Sequence, residues 1–125
     1  MTIAAEKAKI LIVEDNKMVR EIHKGMVENL GYIVDVAENG EQALSMSTNG
    51  YDLIFMDLGL PGISGIEATS KIRSSEPSKK TNIVGLTAYD KEEVEKQCLS
   101  AGMDKVINKP ATPDTLKLVI TTYIH

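Results

Sequence analysis

Asp52-Leu53-Ile54-Phe55-Met56-Asp57-Leu58-Gly59-Leu60-Pro61-Gly62 decides how the rest of this chain is read. Leu53–Met56 reads as a buried strand. Gly59, Pro61, Gly62 and Gly65 then make a loop too rich in turn residues to be regular. Asp57 therefore stands where a buried strand ends. Three other stretches repeat the arrangement: Glu14-Asp15 after Lys9–Val13, Thr87 after Asn82–Leu86, and Lys109-Pro110 after Lys105–Asn108. Strands of a parallel sheet end on one common rim. Side by side, these runs would gather three carboxylates, a hydroxyl and an ammonium there. That inventory suits a divalent cation and a phosphoryl group, with Asp57 as the acceptor.

Outward from these four points, helical and extended patterns alternate. Ile10–Val13 is a continuous apolar run rich in β-branched residues, as in a strand covered on both faces. Lys17–Leu30 carries Met18, Ile22, Met26 and Leu30 four apart on one helix face, with Gly31 as the stop. Tyr32–Ala37 reads as a strand and Glu41–Thr48 as a short helix. Ile66–Ser74 restores helical spacing, and Ser75–Thr81 is a polar linker holding Pro77. After the strand at Ile83–Leu86, Asp90 is placed to cap a helix that runs through Ala101 and stops at Gly102. Val106-Ile107 centres a shorter fifth strand. Thr112 or Asp114 caps a last helix bearing Leu116, Ile120 and Tyr123. Five strands alternating with five helices imply an α/β fold with a parallel sheet and helices on both faces. No segment is left over for a second domain.

The chain has 125 residues, 42% of them hydrophobic and 26% charged, which suits one globular domain with a real core. A net charge of −4 argues against non-specific binding to nucleic acid or anionic membrane. No apolar run approaches the ~20 residues of a membrane span, and Met1–Lys9 lacks the apolar core of a signal peptide. The single Cys98 fits a reducing compartment and reads as a small apolar residue on a helix face.

In open α/β sheets, ligands bind beyond the carboxyl ends of the strands, where strand order reverses. Glu14, Asp15 and Asp57 would repel one another there unless one were protonated or a cation lay among them. Hard carboxylate oxygens without His or Cys point to Mg²⁺ rather than Zn²⁺. An aspartate can accept a phosphoryl group as an acyl phosphate. Transfer then needs in-line positioning and neutralised equatorial oxygens. Lys109 could meet one oxygen, and the Thr87 hydroxyl with a nearby backbone N–H another. The Gly59 carbonyl could reach the metal. Taken singly, each residue is a turn residue, a cap or a surface charge. Taken together, on four strand ends, they favour function.

These residues, in this order, resemble the receiver domain of two-component response regulators. The resemblance spans Lys9 to about Ile124. It rests on Ile10-Leu11-Ile12-Val13-Glu14-Asp15-Asn16, on residues 52–62 quoted above, on Leu86-Thr87-Ala88, and on Ala101-Gly102-Met103-Asp104 leading to Lys109-Pro110. It implies a flavodoxin-like (βα)5 sandwich with sheet order 2-1-3-4-5 over residues 9–125, after an N-terminal extension at 1–8. It implies that Asp57 takes a phosphoryl group from a partner phosphohistidine. Asp15, Asp57 and the Gly59 carbonyl would bind Mg²⁺ directly, and Glu14 through water. Lys109 would pair with Asp57 and then with the phosphoryl group, joined by Thr87 and the Ala88 N–H. The Lys109-Pro110 bond would be cis. The implied partner is a histidine kinase or a histidine-phosphotransfer domain, in the cytoplasm or on the cytoplasmic side of a membrane-bound hybrid kinase. The chain itself would be a signalling acceptor that assists its own phosphorylation and autodephosphorylation, not an enzyme. The wording at Gly85–Ala88 and Ala101–Asp104 resembles hybrid-kinase receivers. Since no output domain follows, the chain reads as all receiver. A stand-alone regulator and a domain cut from a longer kinase both agree with it.

One position departs from the family. Val106 stands where Tyr or Phe is common, three residues before the lysine. Output is then expected to rely on backbone movement near Ala88–Asp90, read on the face built from Asp90–Ala101, Asp104–Lys109 and Thr112–Tyr123. In hybrid-kinase relays Lys17–Leu30 docks the phosphotransfer helix, which would assign Val19, Ile22 and Met26 partly to core and partly to interface. Tyr89 is expected to shield the acyl phosphate from water. Other readings fare worse. His23-Lys24-Gly25 faintly matches a phosphotransfer histidine, but the spacing is wrong, and His23 reads as a surface or partly packed residue. A haloacid-dehalogenase phosphatase wants a second Asp where Gly59 stands. A flavodoxin wants a phosphate loop where Glu14-Asp15-Asn16 would repel phosphate. A non-phosphorylated interaction module would be favoured if key acids were missing, and none is.

Overall fold

The computed structural model describes residues 8–75 and 81–124. All but Ala8 of the expected extension, and the inner part of the Ser75–Thr81 linker, lie outside them. Strands β1 (Lys9–Val13), β2 (Ile33–Ala37), β3 (Leu53–Asp57), β4 (Asn82–Thr87) and β5 (Lys105–Asn108) alternate with five helices. These are α1 (Lys17–Asn29), α2 (Gly40–Met46, continued by a 3₁₀ turn at Ser47–Asn49), α3 (Gly65–Ser75), α4 (Lys91–Ala101) and α5 (Pro113–Tyr123). All strand pairs are parallel, in the order β2-β1-β3-β4-β5. The expected flavodoxin-like order is the observed one.

Successive strand residues point to opposite faces, so the sheet feeds two cores. Leu11, Val13, Ile54, Met56, Ile83 and Val106 meet Ala43, Ala68, Ile72 and Cys98 from α2, α3 and α4. Ile10, Ile12, Leu53, Phe55, Val84, Leu86 and Ile107 meet Val27 of α1 and Leu116, Val119 and Ile120 of α5 on the other side. The chain steps outward from β1 to β2, then crosses back to β3. That reversal makes β1 and β3 neighbours and opens the rim between them, where the acids are.

Local chemistry sets the helix ends. Asn16, Asn39, Asp90 and Thr112 each accept a bond from a backbone N–H of the first turn, at Val19, Gln42, Glu92 and Thr115. Thr112 is thus the cap of α5, not Asp114. Gly102 ends α4 at φ +113°, a conformation that costs glycine nothing.

On α1 the face that spacing gives to Met18 and Ile22 is turned outward at these two residues, which are 73% and 49% exposed. The buried line is instead Arg20, His23 and Val27. Of the two readings of His23, surface or partly packed, the surface one is overturned: it is a core residue, 4% exposed. Apolar spacing marks a helix face, but where two polar side chains with long or flat apolar bodies also repeat at helical spacing, packing against the sheet decides which face is inside. Ala8, assigned to the extension, is buried, and its carbonyl accepts the Ile33 N–H at 3.3 Å.

Candidate functional site

Register brings the acids together. Val13 pairs with Met56 across β1 and β3, so Glu14 and Asp57 leave adjacent strands side by side. The Glu14 N–H is held by the Ala37 carbonyl at 3.0 Å, which fixes the end of β1 against β2. Glycine lets the next turn close over Asp57. A Cβ on Gly65 would strike the Asp57 carbonyl oxygen, and Gly62 sits at φ +74°. The start of α3 thus packs directly onto the backbone of Asp57.

Glu14, Asp15 and Asp57 each offer a carboxylate oxygen within 4.8 Å of the others. Glu14 and Asp57 are buried; Asp15 is exposed and leaves the cluster open to solvent. Lys109 reaches in from the end of β5. Its Nζ lies 2.7 Å from Glu14 Oε1 and 3.1 Å from Asp57 Oδ1. Asp57 Oδ1 also accepts the Gly59 N–H at 3.1 Å, while Glu14 Oε2 accepts the Asn16 N–H at 3.2 Å. Among the described residues, Oδ2 of Asp57 receives no such bond.

Electrostatics follow from this packing. Burial pushes the Glu14 carboxyl above 4.5, although Lys109 and the Asn16 N–H pull the other way. Burial also works against the Lys109 ammonium, but Glu14 and Asp57 outweigh it and hold its pKa above 10.5. One ammonium cannot balance three carboxylates. Two negative charges remain on oxygen donors, with no imidazole or thiolate among them, and that fits a hard divalent cation such as Mg²⁺.

The acids line a cavity of about 520 Å³. Thr87, Ala88 and Lys109 line it too, as do Leu58 and Gly59 after β3. Thr87 is buried, and its Oγ1 accepts the Tyr89 N–H at 3.0 Å, which leaves its proton to donate. The Lys109 N–H bonds the Thr87 carbonyl at 2.7 Å, and Asn108 Nδ2 bonds the Tyr89 carbonyl at 2.6 Å. The two loops carrying Thr87 and Lys109 are therefore tied to each other. The Lys109-Pro110 bond is cis, as expected. Every site residue expected from sequence lines this one cavity. Sequence reading missed the apolar wall of Val19, Ile66 and Val94, and the tie between Lys109 and Glu14. It also missed Arg20, whose Nη1 donates to the Glu14 carbonyl at 3.0 Å. An arginine in a helix carries no signal that separates it from a solvated one.

Comparison with known proteins agrees with this geometry. Residues 10–121 match the response regulator receiver domain family. Over 112 residues the chain is 43% identical to a cyclic di-GMP phosphodiesterase of Thermotoga maritima, covering 90% of this chain and 30% of that protein. It is 32% identical to histidine kinase 5 of Arabidopsis thaliana, covering 95% of this chain and 16% of the kinase. The chain thus spans less than a third of these curated relatives. The receiver domain of a Pseudomonas aeruginosa sensor histidine kinase, solved with a magnesium ion coordinated in its active-site cleft, superposes with a TM-score of 0.86 at 34% identity. That match covers 94% of this chain and 98% of the other.

Proposed function

The chain belongs to the response regulator receiver domains of two-component systems, and we propose that Asp57 is its phospho-acceptor. A carboxylate oxygen of Asp57 attacks the phosphorus of a partner phosphohistidine. The O–P bond forms as the N–P bond breaks, and the departing imidazole keeps the electron pair and takes a proton from water. Oδ2 is the oxygen with room for an electrophile, since Oδ1 already carries Lys109 and the Gly59 N–H.

The single observation that carries this reading is Lys109 Nζ in contact with both Glu14 and Asp57, at one edge of a three-carboxylate cluster. Asp15 and Asp57 would hold Mg²⁺, with the Gly59 carbonyl and, through water, Glu14. Bound there, the ion supplies positive charge against the transferring phosphoryl oxygens. The rest falls to the chain. Lys109 shifts from Asp57 to a phosphoryl oxygen. Thr87 donates its unengaged proton to another, and the Ala88 N–H assists. Autodephosphorylation would be the reverse demand, water reaching the same phosphorus past Tyr89.

Val106 is buried in the core, 1% exposed, where the family commonly has an aromatic ring. A side chain so placed does not swing outward. The signal then passes through the tied loops of Thr87–Tyr89 and Asn108-Lys109 to the face formed by α4, β5 and α5. The donor and recipient are a histidine kinase, a histidine-phosphotransfer domain or both, and exposed Met18 and Ile22 beside the cavity wall at Val19 suit docking of such a helix. We place the receiver at residues 9–125 and the protein on the cytoplasmic side. No helix of the described residues is long and apolar enough to cross a membrane.

Acetyl phosphate with and without Mg²⁺ tests the reading. An intact-mass phosphoryl adduct that needs Mg²⁺ and is lost in Asp57→Asn supports it. Labelling that persists in Asp57→Asn refutes it.

A further inference from the structure

Arg20, in the first turns of α1, is only 8% exposed. A guanidinium loses strongly favourable hydration on burial and needs partners in return. Among the described residues it makes no ion pair with a carboxylate. Its partners are two backbone carbonyls, and one atom serves both. Nη1 donates to the Glu14 carbonyl at 3.0 Å and reaches the Asp15 carbonyl at 3.4 Å. These belong to the two residues that begin the acid cluster.

The other restraints on this turn fall on its neighbours. The Glu14 N–H is bound by Ala37, its Oε2 by the Asn16 N–H and its Oε1 by Lys109, while Asn16 caps α1 with its side chain and accepts the Arg20 N–H on its carbonyl. For Asp15, the exposed acid, the described residues provide no other hold on the carbonyl than this guanidinium. Fixing both carbonyls fixes the peptide planes from which the two side chains depart. The direction of each carboxylate toward Asp57 is set with them.

We infer that Arg20 is a positioning residue for the divalent cation, acting through the Glu14 and Asp15 backbone without touching the ion. This inference rests on the metal-dependent acceptor reading above. It makes a specific demand, because a single nitrogen spans both carbonyls: an ammonium should replace the guanidinium where a neutral side chain cannot.

Calorimetric titration of Mg²⁺ into the whole chain and into Arg20→Met, Arg20→Gln and Arg20→Lys tests this, with circular dichroism of each metal-free protein. Groups that orient metal ligands are worth roughly 10- to 100-fold in affinity, so Met and Gln should weaken Mg²⁺ binding about tenfold or more, and Lys less than about threefold. In acetyl phosphate labelling, Arg20→Gln should need more Mg²⁺ yet regain the wild-type rate at saturation, a split that a purely structural role would not produce. If Arg20→Met fails to fold, Gln against Lys carries the comparison. Unchanged Mg²⁺ affinity in the neutral variants, or a Lys variant as weak as Gln, overturns the role of Arg20 alone. A wild-type chain that binds no Mg²⁺ overturns it together with the metal reading.

Discussion

Lys109 Nζ stands closer to Glu14 Oε1, at 2.7 Å, than to Asp57 Oδ1, at 3.1 Å. The lysine at the end of β5 thus holds the acid of β1 more closely than it holds Asp57 of β3. Release from Asp57 on phosphorylation need not break its hold on Glu14.

Lys109→Ala should leave two buried carboxylates facing each other with no cation. Removing one partner of a buried pair costs about 3 kcal/mol or more, and the 20% exposure of Lys109 argues for the lower end. Urea unfolding of the metal-free variant should show that loss, and millimolar Mg²⁺ should restore part of it. Acceptance of phosphate should survive in part, while the change in partner affinity on phosphorylation disappears. A phosphorylated variant with wild-type partner affinity would contradict this.

Mg²⁺ should raise the melting temperature of the wild-type chain. A ligand at 100 times its Kd stabilises by about 2.7 kcal/mol. Asp15→Asn removes the exposed oxygen donor of the cluster, and most of this shift should go with it. The metal-free variant should melt at or slightly above wild type, because a like charge is gone. A full Mg²⁺ shift in Asp15→Asn would remove Asp15 from the ligand set.

His23 gives stability a pH dependence of its own. Among the described residues, its buried Nδ1 has no hydrogen-bond partner. Burial first, then the charge of Lys109, hold its pKa below 6.5, with Asp57 pulling weakly upward. The unfolded chain therefore binds this proton at higher pH than the folded one. The contribution is complete above about pH 6.5 and is lost as pH falls through the folded value beneath it. Urea midpoints of wild type and His23→Leu, taken on both sides of that pH, should shift relative to each other on acidification, the wild type losing the larger share. Parallel curves would count against it.

Tyr89 is 71% exposed yet lines the cavity beside Thr87. On the proposed acceptor reading, it should slow the approach of water to an acyl phosphate at Asp57. Tyr89→Ala should shorten the phosphoryl lifetime several-fold with little change in stability, because the backbone bonds of this residue remain. Equal dephosphorylation rates would show that the ring plays no part.

Much of this was legible in the chain. Short apolar runs ending in acids, a hydroxyl or a lysine located the rim, because strand ends are set locally by turn residues and caps. Gly102 and Asp90 marked α4 for the same reason. Less legible was α1, where Met18 and Ile22 spaced like a core face but Arg20 and His23 took the inside. Periodicity reports that a helix has faces; it does not report which neighbour each face will meet.

By itself, then, the sequence determined the order of elements, the parallel sheet and the residues that gather at its carboxyl edge, since these follow from local pattern and short connections. Only the tertiary structure decided that Lys109 meets Glu14 as well as Asp57, that His23 is buried, and that one nitrogen of Arg20 reaches the carbonyls of Glu14 and Asp15. Those are distances across space between charged and polar atoms. They are fixed by how helices seat on the sheet, which no local spacing encodes.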